Sequence, residues 1–342
     1  MITNTLLNSR LTAITTTLLM IFTSCMGQQT NSKKMTDKTT QTNPLLCNPE
    51  TGTCEIPGNQ SADTARDNFQ PNTKPIRVIY FTDPICSSCW GIEPQLRKLN
   101  LEYGNVIEIE YRMGGLLPNW NYNSGGISKP ADVAHHWDEV SAYYDMPIDG
   151  DVWLEDPLNS SYPPSVAFKA AQLQDQKKAV LFLREIREMV FLHKKNITKW
   201  KHLAEAAVTV GLDADQLKTD FEGRANVAFE NDLQVAREYG VRGFPTLFFM
   251  DSTGHKELIY GSKPYAFYEN TIIKLLPQAT KNTYAKNWQD LFSAYHTLTA
   301  REFSELSGVQ RNESEQVLDG LVSKELLKKT VTKNGAVWKK AE

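Results

Sequence analysis

A chain of 342 residues, 41 % hydrophobic and 23 % charged, has the make-up of an ordinary globular protein with room for two domains; a collagen-like or wholly disordered chain is excluded. The net charge of −3 argues against nucleic acid as a partner across the whole surface. All five cysteines (Cys25, Cys47, Cys54, Cys86 and Cys89) fall before residue 90, so they do not stitch the fold together and packing must hold the core.

The chain opens with "MITNTLLNSR" and the apolar "LTAITTTLLMIFTS", a run short for a bilayer span, and 1–24 reads as a signal peptide. Its end, Phe22-Thr23-Ser24-Cys25, resembles the lipobox of bacterial lipoproteins, which makes Cys25 the expected lipidation site and the cell envelope the expected location. The alternative is a start at Met35 and a cytoplasmic protein. Residues 25–74 are polar and read as a flexible tether carrying Cys47 and Cys54, which enclose the turn-prone "NPETGT". A disulfide closing that loop has two expected uses left open: a local structural link, or an accessory redox pair exchanging with Cys86.

From residue 75 the pattern changes. "IRVIYFTD" reads as a buried strand, "GIEPQLRKLNLEYG" as a helix and "NVIEIEYRM" as a second strand. About 130–239 is helical throughout, with Asp213 and Gln216 spaced as a capping box inside it. Strand character returns in "VRGFPTLFFMD" and "KELIYG", joined by "STG" as a β-hairpin, and "YAFYENTIIKLL" closes the domain near 280 as a helix. Residues 281–342 read as two helices and a hairpin turning at Asn334-Gly335, a winged-helix-like domain. Over 297–342, eight Lys or Arg face seven Asp or Glu, too even a balance to favour nucleic acid.

The chemistry concentrates at "DPICSSCWG". Cys86 and Cys89 lie one helical turn apart where a buried strand becomes a helix, so first-turn amides point at the Cys86 sulfur and favour a thiolate. An unperturbed thiol is only about 3 % ionised at pH 7, whereas one lowered to a pKa of about 6 is roughly 90 % ionised. Cys86 is therefore the expected nucleophile and Cys89 the resolving thiol. A structural zinc is the competing reading, but the six histidines show no ligand spacing, and adjacent His135 and His136 point about 100° apart on a helix. No metal and no cofactor are expected. The aromatic runs "WNYN" and "VWLEDP" suit core packing better than a substrate groove. Pro245, before an apolar strand, marks a strand start and suits a cis bond.

Strand, C-x-x-C-W on a helix, helical insertion and G-x-P-T before a hairpin together resemble the DsbA-like branch of the thioredoxin-fold oxidoreductases over about 75–280. "DPICSSCWG", "MGGLLP" and "SSYPPSVAFKAAQLQ" most resemble the group containing YjbH-type protease adaptors and FrnE-type proteins. The resemblance implies an α/β thioredoxin fold with a large all-helical insertion, a catalytic pair Cys86 and Cys89, and a cis-proline loop at Pro245 that offers its backbone to an extended peptide. It implies thiol-disulfide exchange with protein dithiol or disulfide substrates and a redox partner protein, and a membrane contact only through Cys25. The alternatives are a protein-binding adaptor and a glutathione-dependent isomerase of the kappa type, although the latter has serine where Cys86 stands. Tyr80 occupies the position at which thioredoxin and DsbA carry a buried acid, which leaves Asp83 or water to deprotonate Cys89, and Ser87-Ser88 supply no histidine between the cysteines.

Overall fold

The computed structural model describes residues 47–48, 51–55, 74–121 and 129–341. The expected signal peptide, Cys25 and Met35 lie outside the described residues. In chain order the elements are β1 (Cys47–Asn48), β2 (Thr53–Glu55), β3 (Ile76–Thr82), α1 (Ser87–Gly91), α2 (Glu93–Tyr103) and β4 (Ile107–Met113). The helical insertion follows as α3 (Pro130–Tyr144), α4 (Val152–Glu155), α5 (Tyr162–Gln174), α6 (Gln176–Leu192), α7 (Trp200–Thr209), α8 (Ala214–Glu222) and α9 (Arg224–Glu238). Then come β5 (Gly243–Phe244), β6 (Thr246–Asp251), β7 (Lys256–Tyr260) and α10 (Tyr265–Leu275). The C-terminal elements are α11 (Trp288–Ala294), β8 (Thr297–Thr299), α12 (Ala300–Ser307), α13 (Arg311–Val322), β9 (Leu327–Thr332) and β10 (Gly335–Lys340).

The central sheet runs β4-β3-β6-β7, with β3 parallel to β4 and antiparallel to β6. This is the thioredoxin fold with a helical insertion that the motifs imply. β3 is apolar nearly end to end because both its faces are covered: Val78, Ile79, Tyr80 and Phe81 are all buried. Its C-terminal end delivers the cysteine pair, and the insertion closes over that end of the sheet.

Several local readings shift. The helix expected after the cysteines is two, because Pro94 has no N–H to bond back into the preceding turn and the chain bends at Ile92. The long helical run from Asp213 to Tyr239 is likewise two, broken at Gly223. Asp213 does cap α8, accepting from the amides of Asp215 and Gln216, but no reciprocal box forms: the Gln216 amide donates to Asp220 at 3.0 Å. Trp153 and Trp137 are buried in the core, and Trp120, partly buried, packs edge-on against Trp153. Cys47–Asn48 and Thr53–Glu55, inside the stretch read as tether, form strands, and the second is docked on β5.

The C-terminal elements build a three-stranded sheet, β8-β10-β9, around a second core containing Leu298, Phe303, Leu306, Leu318 and Trp338. The two helices and hairpin appear, with α11 and β8 in addition, but the hairpin turns at Lys333-Asn334, one residue earlier than read, because Gly335 already pairs with Thr332. This small domain is held against α2 and α6 by charge. Glu302, fully buried, accepts both guanidinium nitrogens of Arg184 at 2.8 and 3.1 Å and lies 3.3 Å from Arg97. The Arg97 guanidinium also donates to the Thr297 carbonyl at 2.7 Å. Burial alone would raise the Glu302 carboxyl, but Arg184, Arg97 and the Thr299 amide outweigh it and hold it below its ordinary value.

Removing Glu302 leaves buried guanidiniums short of their partner, so Glu302→Ala should lose about 3 kcal/mol in urea denaturation. A depressed carboxyl contributes stability above its unfolded-state pKa and loses it as pH falls through the folded value. The acid limb of stability against pH should accordingly be shallower in Glu302→Gln than in the parent.

Candidate functional site

Cys86 is the N-cap of α1, and its sulfur accepts the Cys89 amide at 3.1 Å. The preceding turn is fixed by the Cys86 amide donating to the Asp83 carbonyl at 3.2 Å. Both cysteines are free thiols and both are buried. The peptide bond Phe244-Pro245 is cis, at the join between β5 and β6. Among the described residues no cluster of His, Cys, Asp or Glu could hold a metal ion. His135 is exposed beside Glu139, whereas His136 is buried.

Beneath the pair lies a residue that sequence reading passed over. Arg187 of α6 is fully buried; one terminal nitrogen donates to Glu93 at 2.6 Å, the other to the Thr82 hydroxyl at 2.6 Å and the Asp83 carbonyl at 3.2 Å. Arginine is rarely fully buried unless paired, and this one ties the insertion to the end of β3. Its signal was its place on an otherwise apolar stripe, between Leu183, Ile186, Val190 and Phe191, all buried.

The charge does not sit where the first-turn argument puts it. Burial pushes the Cys86 thiol up, and the neighbouring Cys89 adds to the rise. Cys89 is held below its ordinary value: burial raises it, but the hydrogen bond from Cys86, the Arg187 guanidinium and the hydroxyls of Thr82 and Tyr80 together outweigh that. The closed arrangement thus pushes the two thiols apart, Cys86 up and Cys89 down. Tyr80 is fully buried, and its hydroxyl makes no hydrogen bond of ordinary geometry within the described residues, which leaves it able to solvate a charged sulfur.

Asp83 does not take the place of the missing acid. Its carboxylate accepts from the amides of Ile85 at 3.0 Å and Leu116 at 2.8 Å and from the Ser161 hydroxyl at 2.8 Å, clamping the end of β3 to the insertion. Burial pushes it up to about 6 against those hydrogen bonds. Of the two serines, Ser88 accepts the Tyr144 hydroxyl at 3.0 Å, fixing α1 to α3. Trp90 stacks on Phe191 and donates its indole N–H to the Pro147 carbonyl at 3.1 Å.

The site is covered. β2 pairs antiparallel with β5, setting Cys54 opposite Phe244 and Glu55 opposite Gly243. Cys54 is buried and disulfide-bonded, and its sulfur stands 3.3 Å from that of Cys86. A bonded sulfur has no proton to offer, and the single Cys86 proton already serves Cys89, so the two sulfurs meet as a close contact. On the hairpin's other strand Cys47 stands opposite Cys54 in register.

A family model described as thioredoxin matches residues 80–270. The chain belongs to the thioredoxin-like family that this model describes. It is 35 % identical over 306 residues, 88 % of this chain and 98 % of the relative, to a protein of Halalkalibacterium halodurans named ClpXP adapter protein SpxH. The protein of the same name from Bacillus subtilis is 30 % identical over 271 residues, 78 % of this chain and 89 % of the relative. Among solved structures, a putative protein disulfide isomerase from Nitrosomonas europaea superposes with a TM-score of 0.53 at 22 % identity, over 60 % of this chain and 98 % of its own, a likeness of fold.

If Arg187 holds the charge on the pair, its loss should slow alkylation of the dithiol. Arg187→Met combined with Glu93→Gln avoids an orphaned carboxylate and should cut the iodoacetamide rate at pH 7 about tenfold, whereas Arg187→Lys keeps most of it. An unchanged pH profile of alkylation in the double variant would reduce Arg187 to a packing role.

Proposed function

We propose that this chain is a DsbA-fold adaptor: it grips a client protein and delivers it to a ClpXP-type protease, with the dithiol as a control element rather than a turnover centre. The observation that carries this reading is the 35 % identity, along 98 % of its length, to a protein named as a ClpXP adapter. The closed site supports it, because a client cannot reach the Cys86 sulfur while β2 lies across the pair. The C-terminal domain supplies a second surface, on which Val317 and Val331 are exposed apolar side chains.

Binding of purified ClpXP to the full chain, measured by biolayer interferometry, tests the reading. An adaptor should keep its affinity within about twofold when Cys86→Ser and Cys89→Ser are combined, since the grip is then surface complementarity and not a covalent link. No binding by the parent chain, or loss of binding in the double variant, overturns it.

A thiol-disulfide oxidoreductase acting on protein substrates is the second reading, favoured by a free dithiol facing a bonded cysteine beside cis-Pro245. It calls for insulin-disulfide reduction well above a Cys86→Ser control, which the adaptor reading does not. A kappa-type isomerase is set aside because both cysteines are retained. The two readings carry different addresses: the adaptor goes with a cytoplasmic chain beginning at Met35, the oxidoreductase with an envelope protein lipidated at Cys25. The intact mass of the native protein separates them.

A further inference from the structure

The β1–β2 hairpin occupies the position an extended peptide would take beside the cis-proline loop, adding itself as a strand to β5. Its seat is built for it. The Ser262 amide donates to the Gly52 carbonyl at 2.8 Å. Gly52 has a φ of +67°, and a Cβ there would lie 2.6 Å from the Ser262 nitrogen; a Cβ on Gly261 would lie 2.2 Å from the Thr51 carbonyl oxygen. Backbone approaches that close on both sides admit only glycine. The hairpin is thus fitted to this surface, and the fit brings the Cys54 sulfur to 3.3 Å from the Cys86 sulfur. That separation is within the about 3–3.5 Å of a near-attack arrangement.

Cys54 is bonded while Cys86 and Cys89 are free. Of the remaining cysteines, Cys47 is its register partner, and opposed residues on antiparallel strands have Cα atoms about 4.5–5.5 Å apart, inside the range a disulfide spans.

We propose that the hairpin is a built-in substrate: a Cys47–Cys54 disulfide that exchanges with the Cys86 and Cys89 dithiol inside one chain. Cys86 passes its proton to the thiolate form of Cys89, and the Cys86 thiolate attacks the Cys54 sulfur. The Cys86–Cys54 bond forms, the Cys47–Cys54 bond breaks, and Cys47 leaves as a thiolate that takes up that proton, returning Cys89 to its thiolate. Cys89 then attacks Cys86, forming the Cys86–Cys89 disulfide and releasing Cys54 as the second thiol. Two electrons pass from the Cys86 and Cys89 pair to the Cys47 and Cys54 pair, and no outside oxidant is consumed. Attack on Cys54 and not Cys47 follows from which sulfur faces Cys86. The same exchange links redox state to access, since it converts the strand that covers the dithiol from a disulfide loop to an open dithiol.

The full chain carrying Cys89→Ser, equilibrated in a glutathione buffer, acid-quenched, alkylated and peptide-mapped, tests this. The expected result is a Cys54–Cys86 mixed disulfide with free Cys47, in a monomer, at a yield independent of protein concentration. Gly52→Val keeps every cysteine but unseats the hairpin, and should lower that yield at least about tenfold by removing the effective concentration that docking provides. In Cys47→Ser no Cys47–Cys54 bond is there to be attacked, so a Cys54–Cys86 bond should form only in step with the oxidised glutathione in the buffer. Cys86 linked only to glutathione or to other proteins, with Cys54 still bonded to Cys47, overturns the proposal. It rests on a competent dithiol and not on adaptor activity: ClpXP binding by the same preparations reports on the adaptor reading separately, so either can fail alone.

Discussion

The arrangement turns on the burial of one guanidinium. Arg187 cannot be fully enclosed without partners for its nitrogens, and those it finds are Glu93 at the start of α2, the Thr82 hydroxyl at the end of β3 and the Asp83 carbonyl in the turn to α1. These are the three places where the chain changes direction around the cysteine pair. A cation supplied by the insertion therefore fixes the turn that carries the chemistry and also sets which sulfur is charged. Where thioredoxin and DsbA have a buried acid, this chain has Tyr80, and a neutral phenol above a buried cation favours a thiolate where an acid would disfavour one.

That electrostatic bias meets a steric one. With β2 in place, Cys86 is sealed and burial raises its thiol, while Arg187 and the hydroxyls of Thr82 and Tyr80 help to lower Cys89. Departure of the hairpin would hydrate Cys86 and remove the burial that raises its pKa, leaving the Cys89 amide to favour its thiolate. One motion would thus expose the nucleophile and activate it. A dithiol guarded this way suits a protein whose main work is binding, and equally a relay that admits outside substrates only after its own hairpin has reacted.

What could be read in the sequence was what is local. The strand, the cysteines at a strand-to-helix turn, the hairpin around "STG" and the proline before β6 all come from patterns within about ten residues, and all lie where expected. Pro245 was informative because it conflicts with its surroundings: a proline at the mouth of a central apolar strand needs a reason. The breaks at Ile92 and Gly223 are missed because helical periodicity runs through them. Arg187 and the docking of Cys54 were not legible for a different reason. Each depends on a partner about a hundred or more residues away, Thr82 in one case and Phe244 in the other, and no periodicity encodes such a pairing. An arginine on an apolar stripe, and a pair of cysteines in a polar segment, mark where to look without saying what they meet.

The C-terminal domain is tied into the same centre by contact. Arg184 lies over the Trp90 ring, 4.3 Å from its centroid, while its guanidinium grips Glu302 of the small domain and its Nε donates to Glu188 at 2.6 Å. Trp90 directly follows Cys89, so a chain of packed groups runs from the dithiol to α12. Contact alone transmits nothing; coupling needs an element with two arrangements that both ends bias. Among the described residues the hairpin is the element with the means to be one, because its seat is a few backbone hydrogen bonds and two glycine contacts, and its own disulfide reacts with the site it covers. The small domain, held by buried charge pairs, is the fixed end. A partner on that domain would act on the dithiol only by changing how α1 sits under β2, and Trp90, packed between Phe191 and Arg184, is the side chain through which such a shift would pass.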